Sequence, residues 1–301
     1  MVYKNKIAIF IKACLRDLEC FKQLLLSIEK FNKDSIPICI SVSKMELEIF
    51  KNLLDDMQIS ATIFIDEEIA NEYVFSKNNF QQGWVYQQLV KFCLYKTEFA
   101  EHYIVIDCDG YFIQNFYIKD FLYEDKPYLP ITGHTKAERF PLTIFYKEKT
   151  KHPSYNLREI TNTQKFLEKN YSTLTLDMPF VLTSEYVRRF ENYCKSQNLT
   201  FIDVLKIEAG EMQWYLDFVL SFDLPYQPTT AFFMPFHIHA QYQIFRLLGF
   251  EEKDFIPNYL GILLNKGHVN DIRYKRSLVG RFIVRPMLMI YYKFTRGRWD
   301  L

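Results

Sequence analysis

The sequence predicts an α/β protein, a mainly parallel sheet flanked by helices, on three observations. Short apolar runs alternate with stretches of helical periodicity through the first third of the chain, which is the pattern of βαβ units. With 301 residues, of which 49% are hydrophobic and 24% charged, the chain is long and apolar enough to bury a full core. No internal repeat, low-complexity tract or obvious interdomain linker interrupts it.

Taken in order, Ile7 to Ile11 reads as the first strand. A helix follows from Asp17 to Phe31, where Leu18, Phe21, Leu24, Leu25 and Ile28 recur at helical spacing and Asp17 is placed to cap the first turn. Ile36 to Val42 is the second strand, and Ser43-Lys44-Met45-Glu46 opens a second helix with the Ser-x-x-Glu capping-box pattern. Thr62 to Ile65 makes a third strand. A polar connection through Lys77-Asn78-Asn79 leads to a helix over Trp84 to Tyr95 and then to a strand over Tyr103 to Ile106. Beyond it lie a strand at Phe180 to Thr183, helices near Ser184 to Lys195 and Glu211 to Leu220, and a strand-like run from Thr229 to His239.

Charge is uneven along the chain. Residues 266–301 hold nine basic side chains against Asp271 and Asp300, a net of +7, which leaves −6 for residues 1–265 and +1 for the whole. The division suggests one domain over 1–265 and a basic, aromatic-rich segment over 266–301. That segment interleaves its charges with Phe282, Met287, Leu288, Tyr291, Tyr292 and Trp299, a composition suited to an anionic membrane surface. Its longest uncharged stretch, Pro286 to Tyr292, is far shorter than the roughly 20 residues needed to span a bilayer. Six cysteines without a C-x-x-C pair, and an apolar run of only five residues before Lys12, point to a reducing cytoplasmic setting, with the basic segment on the inner membrane face. Neither the charge balance nor any motif fits a nucleic-acid binder.

The strand ending in Ile104-Val105-Ile106-Asp107-Cys108-Asp109-Gly110 is the strongest chemical signal. Carboxylates at the carboxyl end of a buried parallel strand lie where open α/β sheets bind ligands. Spacing of two puts Asp107 and Asp109 on one side if the chain stays extended, and hard cations such as Mn²⁺ or Mg²⁺ prefer such oxygens. A strand-end turn with Asp-Gly accounts for the same residues. So does the first motif of haloacid-dehalogenase-like phosphatases, with Asp107 as nucleophile. That motif normally opens its fold, however, and Tyr111 stands where Thr or Val is usual.

Ahead of the strand stands Gly83-Trp84-Val85-Tyr86-Gln87-Gln88-Leu89-Val90-Lys91, in which helical spacing places Trp84, Gln88 and Lys91 on one face. Together with the acidic pair this Gly-Trp-x-x-Gln-Gln-x-x-Lys pattern resembles a little-characterised group of bacterial GT-A glycosyltransferases. Lys12-Ala13-Cys14-Leu15-Arg16-Asp17 and Gly210-Glu211-Met212-Gln213-Trp214-Tyr215 are similar to two further segments of that group, the second with Gly210 in place of Ser. The resemblance covers about two-thirds of the chain in scattered motifs.

It implies a GT-A-like fold and transfer of a sugar from a nucleotide-sugar donor to a glycan or lipid-linked acceptor in bacterial surface-polysaccharide synthesis, with Mn²⁺ or Mg²⁺ as cofactor. Asp109 would bind the metal most directly, with Asp107 assisting through ribose or water, and His237 or His239 would complete the site. Arg16 would meet phosphate and Asp17 the base or ribose. Gln87 or Gln88 would bond donor hydroxyls or the acidic pair, and Lys91 would balance nearby negative charge. Glu211 is the candidate catalytic carboxylate, taking the proton of the attacking hydroxyl. A non-catalytic module that binds nucleotide sugars fits the same residues. Pro179 with Asp177, and Thr132-Gly133-His134-Thr135, are weaker candidates for acceptor and donor loops.

Overall fold

The computed structural model of the protein describes residues 3–73, 80–133, 162–168, 174–236 and 251–264. Along these run β1 (Asn5–Lys12), α1 (Leu18–Phe31), β2 (Ile38–Val42), α2 (Leu47–Met57), β3 (Thr62–Ile65), α3 (Asp66–Ile69), α4 (Phe80–Cys93), β4 (Ala100–Asp107) and β5 (Gly110–Phe112). They continue with β6 (Leu122–Tyr123), β7 (Lys126–Gly133), β8 (Leu174–Leu176), β9 (Phe180–Thr183), α5 (Ser184–Ser196), α6 (Phe201–Ile207), α7 (Glu211–Ser221), β10 (Gln227–Thr229), β11 (Phe233–Phe236) and β12 (Gly261–Leu264).

The main sheet has the order β3-β2-β1-β4-β9. Its first four strands are parallel and β9 is antiparallel to β4. Both faces are covered, which is why its strands read as unbroken apolar runs. On one face Ile7, Ile9, Ile11, Ile104 and Ile106 pack with Phe21, Leu24, Leu25 and Ile28 of α1 and with Phe50 and Leu54 of α2. On the other, Ala8, Phe10, Tyr103 and Val105 pack with Leu89, Val90 and Phe92 of α4, and with α5, α6 and α7 through Phe190, Phe201 and Trp214. Each buried Leu, Ile, Val or Phe among them contributes about 1.5–3 kcal/mol. The expected α/β architecture, a mainly parallel sheet flanked by helices, is the one present.

Two smaller sheets frame the C-terminal end of β4. In one, β7 pairs antiparallel with β6 across a two-residue turn, Glu124 and Asp125, whose φ values are 46° and 67°; β8 and β10 join the same strand. In the other, β12 lies between β5 and β11. The approach is closest at Gly261, where a Cβ would stand 2.5 Å from the Tyr111 carbonyl oxygen and from the Phe233 ring.

Several local expectations change. Asp17 makes no side-chain cap to α1; its carboxylate accepts instead from the Cys14 thiol and from Arg16. The Ser43-to-Glu46 pattern is no capping box either. The Ser43 hydroxyl donates to Glu46 at 2.8 Å, while Glu46 also accepts from the Leu15 amide at 3.0 Å, so the carboxylate ties two loops together and α2 starts at Leu47. The run from Thr229 divides, because β10 pairs with β7 whereas β11 pairs with β12 in a different sheet. Lys77 to Asn79, His134, Thr135, His237, His239 and the basic segment 266–301 lie outside the described residues. Among the described residues no helix is long and apolar enough to cross a membrane.

Candidate active site

The parallel pairing of β1 with β4 sets the end residues Lys12 and Asp107 side by side. Beyond Asp107 the chain does not stay extended, as the spacing argument assumed: Cys108 and Asp109 form a turn and β5 begins at Gly110. The buried Cys108 thiol donates to the Lys12 carbonyl at 3.3 Å, and the Leu264 amide donates to the Asp109 carbonyl at 2.9 Å. The turn is therefore tied to β1 on one side and to β12 on the other. Asp107 and Asp109 are both half-buried, on either side of buried Cys108.

Behind this turn α4 and α7 meet. Lys91 is fully buried, and its ammonium donates to Asp107 Oδ1 at 3.1 Å and to Glu211 Oε1 at 2.7 Å. Burial by itself would lower the lysine pKa, but the carboxylates of Asp107 and Glu211 outweigh it and raise the group above its ordinary value. With its amide oriented to suit its neighbours, Gln88 donates to Glu211 Oε2 at 2.7 Å and Oε1 at 2.8 Å, and accepts from the Trp84 indole N–H at 2.9 Å. The helical spacing of Trp84, Gln88 and Lys91 thus lines up three side chains along one row. Glu211 reaches them as the first residue of α7. That helix is held in turn by Tyr215, whose buried hydroxyl accepts from the Thr183 amide of β9 at 3.0 Å.

The other candidates surround this row unequally. Gln87 is half-buried on α4, next to Gln88. Arg16 and Asp17 sit in the turn between β1 and α1, with Arg16 largely exposed. Sequence reasoning missed Lys12 and Asp66, which form a buried ion pair at 3.0 Å beside Asp107; the available signal was a lysine closing the apolar run Ile7 to Ile11. His237 and His239 belong to the undescribed residues, so the structure does not place them against the acidic pair.

Chemically, two half-buried carboxylates offer hard oxygen donors suited to Mn²⁺ or Mg²⁺. Among the described residues no three His, Cys, Asp or Glu side chains converge as a complete metal cage. The Asp107 carboxylate, which Lys91 engages through Oδ1, suits a cation that keeps several positions for water and phosphate oxygens. A cavity of about 500 Å³ lies elsewhere, lined by Lys6, Asp34, Tyr117 and Lys119 among others. It shares none of these residues.

A model described as a family of unknown function (DUF6492) matches residues 4–241. No curated protein matches the chain. Among solved structures, mouse xyloside xylosyltransferase 1 in its apo form is 10% identical with a TM-score of 0.47, over 87% of this chain and 98% of that one. The bifunctional glycosyltransferase WbbM is 14% identical with a TM-score of 0.45, over 87% of this chain and 46% of its own. The glycosyltransferase GlyE of Streptococcus pneumoniae TIGR4 is 11% identical with a TM-score of 0.45, over 86% of this chain and 54% of its own. The matched part thus spans about half the length of these last two proteins.

Proposed function

This chain belongs to DUF6492, a family of unknown function, and since membership assigns no activity we propose one from the site: metal-dependent transfer of a sugar from a nucleotide-sugar donor to a glycan or lipid-linked acceptor. The observation that carries this reading is the half-buried Asp107 and Asp109 pair at the C-terminal end of a central parallel strand, backed by the buried Lys91 ammonium. Such strand ends are where open α/β sheets bind ligands, and the charges there suit a pyrophosphate held through a divalent cation.

In this reading Asp109 and Asp107 hold Mn²⁺ or Mg²⁺, with His237 or His239 as a further ligand. When bound, the cation supplies electrostatic stabilisation of the departing diphosphate. Arg16 contacts phosphate, and Asp17 the ribose or base. Gln87, half-buried on α4 beside Gln88, borders the donor. Surface-polysaccharide synthesis at the cytoplasmic membrane face, with residues 266–301 resting on anionic lipid, is the setting that suits the basic segment.

Thermal-shift screening of nucleoside diphosphates and nucleotide sugars, with and without Mn²⁺, tests the reading directly, because a ligand that binds the folded state raises its stability. A metal-dependent rise with one nucleotide is expected. Replacing Asp109 with Ala should then abolish Mn²⁺-dependent donor hydrolysis; full activity in that variant would sink the assignment.

A further inference from the structure

Glu211 entered as the candidate proton acceptor, and its surroundings give it a different task. Its side chain is 4% exposed, against 38% for Asp107. Oε1 accepts from both Lys91 and Gln88, and Oε2 accepts from Gln88. A general base has to come within about 2.6–3.2 Å of the hydroxyl it deprotonates, and a carboxylate this deeply buried, with both oxygens already accepting hydrogen bonds, is poorly placed for that. Lys91 stands between Glu211 and Asp107, so the charge that Glu211 meets is the ammonium and not the substrate.

We propose that Trp84, Gln88, Glu211 and Lys91 form a positioning relay that fixes the direction of the Asp107 carboxylate, with Glu211 as the counter-anion of Lys91 and not the acceptor of the substrate's proton. Each member orients the next. The Trp84 N–H fixes which way the Gln88 amide faces, Gln88 grips Glu211 through both oxygens, and Glu211 sets where the Lys91 ammonium stands. Lys91 then holds Asp107 Oδ1 and leaves Oδ2 as the oxygen available to a ligand. The inference rests on the transferase reading for what Asp107 does, but its geometry belongs to the chain alone.

One pair of substitutions isolates the relay. Asp107, Asp109, Glu211 and Lys91 carry a net charge of −2, and the double variant K91M/E211Q leaves that net charge unchanged while removing the ammonium bridge. Mn²⁺ binding, followed by paramagnetic resonance of the free ion in the presence of UDP or GDP, should weaken by about tenfold or more, as loss of groups orienting a metal ligand does. Binding within about twofold of wild type in a double variant with an unchanged melting curve would overturn the relay.

The single variant Glu211→Gln separates the two roles of that residue. As counter-anion its loss should weaken Mn²⁺ binding severalfold while the acidic limb of the kcat profile at saturating Mn²⁺ is retained, whereas loss of a general base leaves Mn²⁺ binding intact, costs about 10²–10⁴-fold in kcat and removes that limb. A collapse of kcat with Mn²⁺ binding intact and the limb gone would overturn the relay and leave the transferase reading standing. Wild-type protein that neither binds Mn²⁺ with UDP or GDP nor hydrolyses any nucleotide sugar would overturn both.

Discussion

Lys91 of α4 and Glu211 of α7 meet at 2.7 Å although 120 positions separate them, and the side chains are only 2% and 4% exposed. A pair this deep is worth little as a net interaction, since desolvating both charges offsets most of their attraction, but breaking it strands one charge in the interior.

The first prediction follows from that asymmetry. Lys91→Met should lower unfolding stability by about 3–5 kcal/mol, because it leaves the Glu211 carboxylate buried without its cation. K91M/E211Q should recover most of the loss, since no uncompensated buried charge remains. Urea unfolding of the metal-free proteins checks both; equal destabilisation of single and double variants would contradict the pairing.

A second concerns pH. Burial pushes the Asp217 carboxyl from 3.8 up to about 6, while hydrogen bonds from Thr163, Gln213 and Gln164 hold it back only in part. The folded state therefore binds this proton more tightly than the unfolded chain does. The stabilisation is complete below about pH 4 and is lost as pH rises to about 6, a change of about 3 kcal/mol. Asp217→Asn keeps an acceptor for the Thr163 hydroxyl and cannot ionise. Its stability relative to wild type should climb between pH 4 and 6 and level off above, as unfolding titrations at half-unit steps would register.

Gly83 tests whether its motif position is structural. It lies on α4, is exposed, and a Cβ there would meet nothing within 4 Å. Gly83→Ala should stabilise the protein by about 0.5–1 kcal/mol through helix propensity. Thermal unfolding reads the gain. A stabilised variant with impaired donor binding would mark the glycine as the place where a ligand approaches the helix.

Gly261 should behave in the opposite way. Its missing Cβ is what lets Tyr111 and Phe233 close on β12, so Gly261→Ala should cost about 1–3 kcal/mol or more by overpacking. Trimming the ring in a Phe233→Leu background should not restore the loss, because the Tyr111 carbonyl also stands 2.5 Å away and backbone cannot be trimmed. Full rescue by the second substitution would place the strain in the ring alone.

The sheet was legible because its determinants are local. The runs around Ile9, Ile40, Ile63 and Val105 are apolar on both faces, and the helical spacing of Phe21, Leu24, Leu25 and Ile28 matches the face that α1 buries. The alignment of Trp84, Gln88 and Lys91 was equally readable, being a property of one helix. What they touch was not, because the contact with Glu211 is set by how α4 and α7 pack, and no local pattern encodes that. The same limit hid the Lys12 and Asp66 pair, and it misassigned Asp17 and Glu46. Their carboxylates were recruited by Cys14, Arg16, Ser43 and the Leu15 amide in preference to the helix ends that sequence offered them. The division of Thr229 to Phe236 between two sheets depends on partners about a hundred residues upstream in β7 and on β12 downstream.

The bond from the Leu264 amide to the Asp109 carbonyl also fixes where the basic segment's connection to the fold begins. The chain continues into residue 265 from a strand fastened to the peptide of the acidic turn. Ten residues of chain can reach at most about 35 Å, so anything captured by the first part of the basic segment is kept by covalent connection within that radius of Asp109.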